Sequence, residues 1–550
     1  MSKKDRGKWR GLLAPAGKEQ GKNRGLILLV ISFLGLWLCA EIIKGAIGLP
    51  IDDAYLFKRY ALNLAGGFGF SFNPGEPSFG CSSFLWTLLL AILSKIFGQD
   101  RYFAIAQWTG IIFTCLAVWY LLKLVQFYTR SRWLILLAGF LAWLSAITFM
   151  NAVSGMESGL FSCLVMITLY RFARMEDKDS LNGILAGLSS GLAFLTRPEA
   201  LYFPIALSLI WLYQLLRGNK AAIISLFTYG LGFGIFAIPY LIWMKLRFHQ
   251  LLPFTYLAKI YSADPDLLAR PLGRRLTDGI GFLLEGWGNL MGGWKLPGWI
   301  ILGVALIGLV YVLVKFLWKP KNNALVLIGG WMLLPFAYGF SFPVSPHFGG
   351  YYQRYIASVY LVIVLTGLIG FAKIFRKIPL KSLLYLLALI LVIIYCLPIV
   401  KGQIKDGKAI YLQEISLNQG LRLDSANWLR EKTPDKAKIL VGHTGLGVVG
   451  GECGRYVYDL GGLINPDLLP YLEGTKPLTE KRWGKILAYV CDKEIDYYVS
   501  FAPLLGVDPA KSPGFKEEAR IGIEGEPKSA YEQIRIYFID RNLLCIPEKK

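Results

Sequence analysis

Histidine is nearly missing from this chain: His249, His347 and His443 are the three in 550 residues. Their wide separation argues against a histidine-built metal centre. Cysteine is sparse too. None of the eight falls in a CxxC spacing of the kind metal sites use. Cys39, Cys115, Cys163 and Cys396 lie in apolar runs and read as packing residues, while Cys81 stands alone in a long loop. Cys453, Cys491 and Cys545 lie in the polar C-terminal part, and being three they cannot all pair with one another. Acidic residues are the scarcest class where the chain is most apolar. Of 59 Lys+Arg and 37 Asp+Glu, 22 and 21 fall in residues 401–550, which leaves 37 and 16 for the first 400. The formal charge of +22 therefore belongs to the apolar part, where basic residues in short loops orient membrane helices. No nucleic-acid partner is expected.

What is abundant is hydrophobic sequence, 55% of the chain with a mean hydropathy of +0.47. A soluble domain rarely sustains that fraction over such a length. Residues 1–24 form a basic tail (Lys3, Lys4, Arg6, Lys8, Arg10, Lys18, Lys22, Arg24) ahead of a membrane-length run, 25–47, that no small-residue cleavage site follows. It reads as a retained anchor with the tail in the cytoplasm. Further apolar runs recur near 83–98, 102–124, 133–150, 158–173, 182–196, 199–216, 221–246, 297–318, 324–341, 355–374 and 382–400. If 83–98, short and carrying Lys95, lies on the membrane surface, eleven spans remain and every basic connector falls inside. The outward loops become 48–101, 151–157, 197–199, 247–296 and 342–354, followed by the C-terminal region.

All the polar clusters then share that outer side. Asp52 and Asp53 open the first loop, and Leu56, Tyr60 and Leu64 at helical spacing predict a short helix over 52–65. The pair would sit in its first turn, where the helix dipole favours negative charge. An N-cap with an acidic neighbour and a functional pair both account for it. Ionisable groups at a membrane boundary commonly mark a site. Glu157 follows Ser154-Gly155-Met156, either starting a helix or lying near the first loop. Arg197 and Glu199 flank Pro198 as an ion pair or as part of the site. Lys259 follows His249-Gln250-Leu251-Leu252-Pro253, and Arg354 follows His347 and Tyr351-Tyr352-Gln353. These cations beside aromatics suit either a lipid-linked phosphate or snorkelling to headgroups.

The run Asp52-Asp53-Ala54-Tyr55, Arg59-Tyr60-Ala61, Asn63-Leu64, Gly69, Phe72-Asn73-Pro74-Gly75-Glu76, Ser82-Ser83 and Leu85-Trp86 resembles the first-loop signature of GT-C glycosyltransferases. Within them it is similar to the AftB-type arabinofuranosyltransferase subgroup. Ser154-Gly155-Met156-Glu157, Thr196-Arg197-Pro198-Glu199, Leu252-Pro253, Thr255, Lys259, Arg354-Tyr355 and the block Arg455–Leu463 extend the resemblance over most of the chain. Cys81-Ser82-Ser83 and Phe254 depart from the pattern, and they bear on the acceptor. The resemblance implies a multi-span α-helical membrane protein, with about eleven transmembrane helices and juxtamembrane helices in residues 25–400. It also implies an extracytoplasmic α/β domain over 401–550, in a bacterial plasma membrane.

The activity so implied is transfer of a sugar from a polyprenyl-phosphate donor to a cell-envelope glycan or lipid acceptor. Asp52 is the expected general base with Asp53 beside it. Glu157, Arg59 and Tyr60 would orient substrate, and Arg197, Lys259, Arg354 and His347 would hold the lipid phosphate. Two adjacent Asp can also bind Mg²⁺ or Ca²⁺ or act without metal. A flippase for the same lipid is the alternative, although a transporter places its polar groups near the midplane. In the C-terminal region, Leu423–Arg430 reads as a helix start. Strands are predicted at Lys438–Val441, Tyr456–Asp459, Ile495–Ser500 and Ile534–Ile539. Gly442-His443-Thr444-Gly445-Leu446-Gly447 lacks the full dinucleotide fingerprint and reads as lid support or glycan binding.

Overall fold

The computed structural model describes residues 21–129, 131–175, 180–251, 253–255, 258, 270–290, 299, 302–310, 323–341, 351–375, 378, 380–442, 445–473, 475, 479–501, 507–522 and 532–545. Helix α1 is Gly21–Ile43, α2 Asp52–Ala65, α3 Phe84–Phe97, α4 Tyr102–Tyr128, α5 Arg132–Trp143 and α6 Ala146–Ala152. Then follow α7 Ser158–Arg174, α8 Ser180–Thr196, α9 Tyr202–Leu216, α10 Ala221–Phe248, α11 Leu272–Leu290, α12 Asn323–Trp331, α13 Leu334–Ser341 and α14 Ala357–Ile374. The long α15 runs Lys381–Leu417 and leads through a π-helical turn into α16, Leu423–Lys432.

Among the described residues, four helical stretches are long and apolar enough to cross a membrane: Gln99–Tyr128, Pro198–Leu216, Ala222–Phe248 and Gln353–Ile374. The expected span over 133–150 is broken. Its two halves, α5 and α6, meet at 62° around Leu144-Ser145, the geometry of a broken span or of a re-entrant loop. The run 324–341 also divides, into α12 and α13. Most of 297–318 lies outside the described residues. Helices α8 and α10 approach with backbone against backbone. A Cβ on Gly187 would fall 2.2 Å from the Tyr229 carbonyl oxygen, and one on Gly232 2.3 Å from that of Ile184. Small residues at such positions let helix axes close in where lipid offers no hydrophobic drive.

Both helices expected in the first loop are present. Helix α2 spans Asp52–Ala65 and buries Tyr55, Leu56, Phe57, Tyr60 and Ala61. It is stopped by Gly66 and by Gly67 at φ +84°. The run 83–98 is a helix capped by Ser83, whose side chain accepts from the Trp86 amide. The capping reading of Asp52 is not met: the N-cap is Ile51, and no side chain caps the helix.

The C-terminal region is α/β. Helix α17, Glu480–Lys493, packs with a five-stranded sheet of β1 Lys438–Val441, β2 Tyr456–Asp459, β3 Tyr497–Phe501, β4 Phe515–Gly522 and β5 Gln533–Ile539. The order is β2-β1-β3-β5-β4, with the first three parallel and the last two antiparallel. Four strands match the sequence reading closely. The fifth, β4, starts at buried Phe515, then alternates exposed and half-buried positions, and carries Lys516, Glu517, Glu518 and Arg520. Such charge suits an edge strand. One face of the sheet (Leu440, Tyr458, Tyr498, Tyr537) packs with Ile486, Tyr489 and Val490 of α17. The other face (Ile439, Val441, Val457, Val499, Ile536) belongs to the same core as α2 and the membrane helices. Cys491 is bonded to Cys545, and Cys453 is free and buried.

Side chains of the first loop lock onto the sheet edge. The Asn73 amide donates to the Val457 carbonyl at 2.9 Å, and its oxygen accepts the Val457 N–H at 3.0 Å. Asn73 thus replaces a missing neighbouring strand. Asn73→Ala strands a buried N–H and C=O on β2 and should cost about 1–3 kcal/mol, read as a lower thermal midpoint of the detergent-purified protein.

Candidate functional site

Helix α2 aims Asp52 away from its own backbone and into the C-terminal region. Oδ2 accepts the Gly447 N–H and Oδ1 the Val448 N–H, each at 2.9 Å. A Cβ on Gly447 would sit 1.9 Å from the Asp52 carbonyl oxygen, so only glycine allows this approach. Burial pushes the Asp52 carboxyl up, while Arg422 and the two amides push it down. Asp459, at the end of β2, is fully buried and accepts from Gly461 at 2.9 Å and Leu463 at 2.7 Å. Burial first, opposed by those amides, and then the charges of Asp52 and Asp53 bring it to about 6. Its response to both aspartates puts it within electrostatic reach of the pair.

Asp53 is ion-paired to Arg354, with side-chain exposures of 45% and 9% respectively. The Arg354 Nη2 also donates to the Tyr355 hydroxyl at 3.2 Å. Its Nε and Nη1 are buried without a partner among the described residues. Across the same aromatic ring lies the second cation. The Tyr355 ring has the Arg197 guanidinium at 4.5 Å and the Arg354 guanidinium at 5.0 Å. Arg197 differs from Arg354 in being saturated. Nη1 donates to Glu157 at 2.8 Å, Nη2 to Glu199 at 2.9 Å and to the Tyr338 hydroxyl at 3.2 Å, and Nε to Glu199 at 3.3 Å. The Tyr338 hydroxyl also donates to Glu199. One oxygen of the buried Glu157, Oε2, has no partner among the described residues.

Asp52, Asp53, Glu157, Arg197 and Arg354 are thus joined through direct contacts and the Tyr355 ring, with Gly447 and Asp459 added from the C-terminal region. Arg59 and Tyr60 sit elsewhere, inside the loop. The Arg59 Nε donates to the Phe72 carbonyl at 3.0 Å. The Tyr60 hydroxyl pairs with Ser78 at 2.8 Å and accepts the Gly80 N–H at 2.8 Å, fully buried. Both hold the shape of the loop. Lys259 and His347 lie outside the described residues. Beside the Arg197 turn, Ser82 of the first loop meets Phe194, Leu195, Pro198, Tyr240 and Pro253 around a crevice no larger than a water molecule.

The Gly447 contact went unseen because 395 residues separate its partners. The glycine density of 442–447 was the available signal. For a divalent ion the donor set does not fit. Both aspartates already face N–H donors, whose positive ends would meet a cation, and among the described residues no group of three or more His, Cys, Asp or Glu stands together. No step below passes through a metal.

Neither protein-family models nor curated sequences yield a match. Solved structures do. The chain is similar to the archaeal oligosaccharyltransferase AglB from Archaeoglobus fulgidus in complex with an inhibitory peptide and a dolichol-phosphate. That likeness has 12% identity and a TM-score of 0.60, over 88% of this chain and 70% of that one. It is also similar to ArnT from Cupriavidus metallidurans bound to undecaprenyl phosphate, at 10% identity and a TM-score of 0.52 over 94% and 98%. A third likeness, to the Archaeoglobus enzyme with Zn and sulfate, has 14% identity and a TM-score of 0.57 over 86% and 67%. At these identities the likenesses bear on the fold alone: the chain folds like the Archaeoglobus oligosaccharyltransferase and ArnT.

Removing Arg197 leaves the buried Glu157 without its cation and half-buried Glu199 with the Tyr338 hydroxyl alone. Arg197→Ala should therefore cost about 3–5 kcal/mol, measured as a drop in thermal midpoint larger than that of Arg59→Ala, which cuts a hydrogen bond of half-buried Arg59.

Proposed function

We propose that the protein is an inverting glycosyltransferase that moves a sugar from a polyprenyl-phosphate donor to a cell-envelope glycan or glycolipid on the extracytoplasmic face of a bacterial plasma membrane. The observation that carries this reading is Arg354, a buried guanidinium that spends one edge on Asp53 and whose Nε and Nη1 have no partner among the described residues. Buried donors normally find acceptors. A phosphate oxygen meets that need with a charge-assisted bond. AglB with dolichol-phosphate and ArnT with undecaprenyl phosphate lend support, since each carries a lipid phosphate on the same fold.

Asp52 takes the proton of the acceptor hydroxyl as that oxygen bonds to the anomeric carbon. The bond from the anomeric carbon to the phosphate oxygen breaks, and its electron pair leaves with the lipid phosphate beside Arg354. Attack opposite the leaving group inverts the configuration. Asp53 holds Arg354 in place, and Arg197 is a strut whose charge is spent on Glu157 and Glu199. Lys259 and His347 remain candidates for the same phosphate. The outward orientation is supported by the Cys491–Cys545 disulfide, a bond of oxidising compartments. An arabinofuranosyl donor remains the finer reading implied by the first-loop signature.

General-base catalysis is typically worth about 10²–10⁴-fold. Asp52→Asn should lower turnover by that factor with radiolabelled undecaprenyl-phosphate sugars while donor binding persists. Unchanged turnover would remove Asp52 as the base. Arg354→Lys loses the planar fork and should raise the donor KM about ten- to a hundredfold, and a KM equal to that of wild type would count against the phosphate assignment.

A further inference from the structure

Asp52 is the base in the reading above, yet both of its carboxylate oxygens are held by a segment nearly four hundred residues away. The helical turn Leu446–Gly450 follows β1 and presents two backbone N–H groups that its own turn does not use. Val449 and Gly450 donate instead to the Gly445 carbonyl, at 2.8 and 3.2 Å, which closes the turn behind them. We propose that Gly447 and Val448 are positioning residues: their backbone amides grip the Asp52 carboxylate, fix its direction, and make the C-terminal region a working part of the transfer site. This inference rests on the general-base reading of Asp52.

Three observations argue that the contact is built rather than incidental. The fit at Gly447 is too tight for any side chain. The same region is pinned to the first loop on both sides of the grip. Gln419 donates to the Tyr55 hydroxyl at 2.9 Å and Asn418 to the Leu49 carbonyl at 2.9 Å, while Lys58 pairs with Glu452 at 2.7 Å. Finally, the turn is buried throughout, so water cannot substitute for its amides. A carboxylate buried this far tends to stay protonated, and a protonated base cannot accept the acceptor's proton. Two N–H donors favour the charged form, so the grip keeps the base usable. The titratable groups that face Asp52 are Arg422 from the π-helical turn before α16, Asp53 and Tyr55 on its own helix, and Asp459 from β2.

The test has two arms on the full-length protein in detergent. In the first, hydrogen–deuterium exchange of the segment 445–450 is compared between wild type and Asp52→Ala. Faster exchange in the variant is expected for the two amides, and unchanged exchange overturns the grip whether or not any sugar is transferred. In the second, turnover of radiolabelled undecaprenyl-phosphate sugars is followed against pH in Gly447→Ala and in Val448→Pro, which deletes one donor. Losing a bond to a charged acceptor should lower kcat about ten- to a hundredfold, leave the donor KM unchanged, and move the acid limb of the kcat profile to higher pH. A kcat loss with an unmoved acid limb reduces the contact to scaffolding and overturns the proposal. Wild-type turnover in Asp52→Asn sinks the base reading instead, while the exchange arm still reports on the grip by itself.

Discussion

Charge taken out of water has to be met by donors or by opposite charge, or it costs several kcal/mol. Nearly every residue of interest here is placed by that constraint. Asp52 is met by two amides, Asp53 by Arg354, and Glu157 and Glu199 by Arg197. The three arrangements are not independent. The Tyr355 ring lies against both guanidinium groups, and Asp52 and Asp53 are neighbours on one helical turn. Shifting any one of them would strand a buried partner of another.

The same constraint explains why the C-terminal region cannot be treated as an appendage. Helix α15 runs unbroken from Lys381 to Leu417, past the point where the sequence turns polar, and delivers Asn418, Gln419 and Arg422 to the first loop. The inner face of the sheet then shares one core with the loop, and Asn73 seals the edge of β2. The composition changes near residue 401, inside the helix. That change does not mark a mechanical boundary.

What could be read in advance was local. Helix α2 followed from Leu56, Tyr60 and Leu64, and β1 and β2 from short β-branched and aromatic runs. The bend at Leu144-Ser145 was not readable, because no Pro marks it and the glycine of that apolar run, Gly139, lies within α5 rather than at the break. Strand β4 was hidden by Glu517, a charge on the half-buried register of an edge. The site itself was half legible. The acidic pair and Arg354 stood out as ions at a membrane boundary, whereas Gly447 and Asp459 are recruited by tertiary contact alone. Arg59 and Tyr60 carried the signature as strongly as Asp52 did, yet their hydrogen bonds turn inward on the loop. A motif marks residues that must be kept and does not say whether they hold shape or touch substrate.

Arg197 and Arg354 make the same point with more force. Each is an arginine beside an aromatic residue, each is buried, and each flanks Tyr355. No count of residue types separates them. The separation lies in the balance of donors and acceptors around each guanidinium. Arg197 meets two carboxylates and a tyrosine hydroxyl, with Nε, Nη1 and Nη2 all engaged, so an arriving anion would have to displace a glutamate it repels. Arg354 meets one half-exposed carboxylate and the Tyr355 hydroxyl, and two of its buried donors have no partner among the described residues. On the proposed reading, an anion arriving there gains bonds without displacing a carboxylate, whereas Arg197 is held by Glu157 and Glu199 beside the Tyr355 ring.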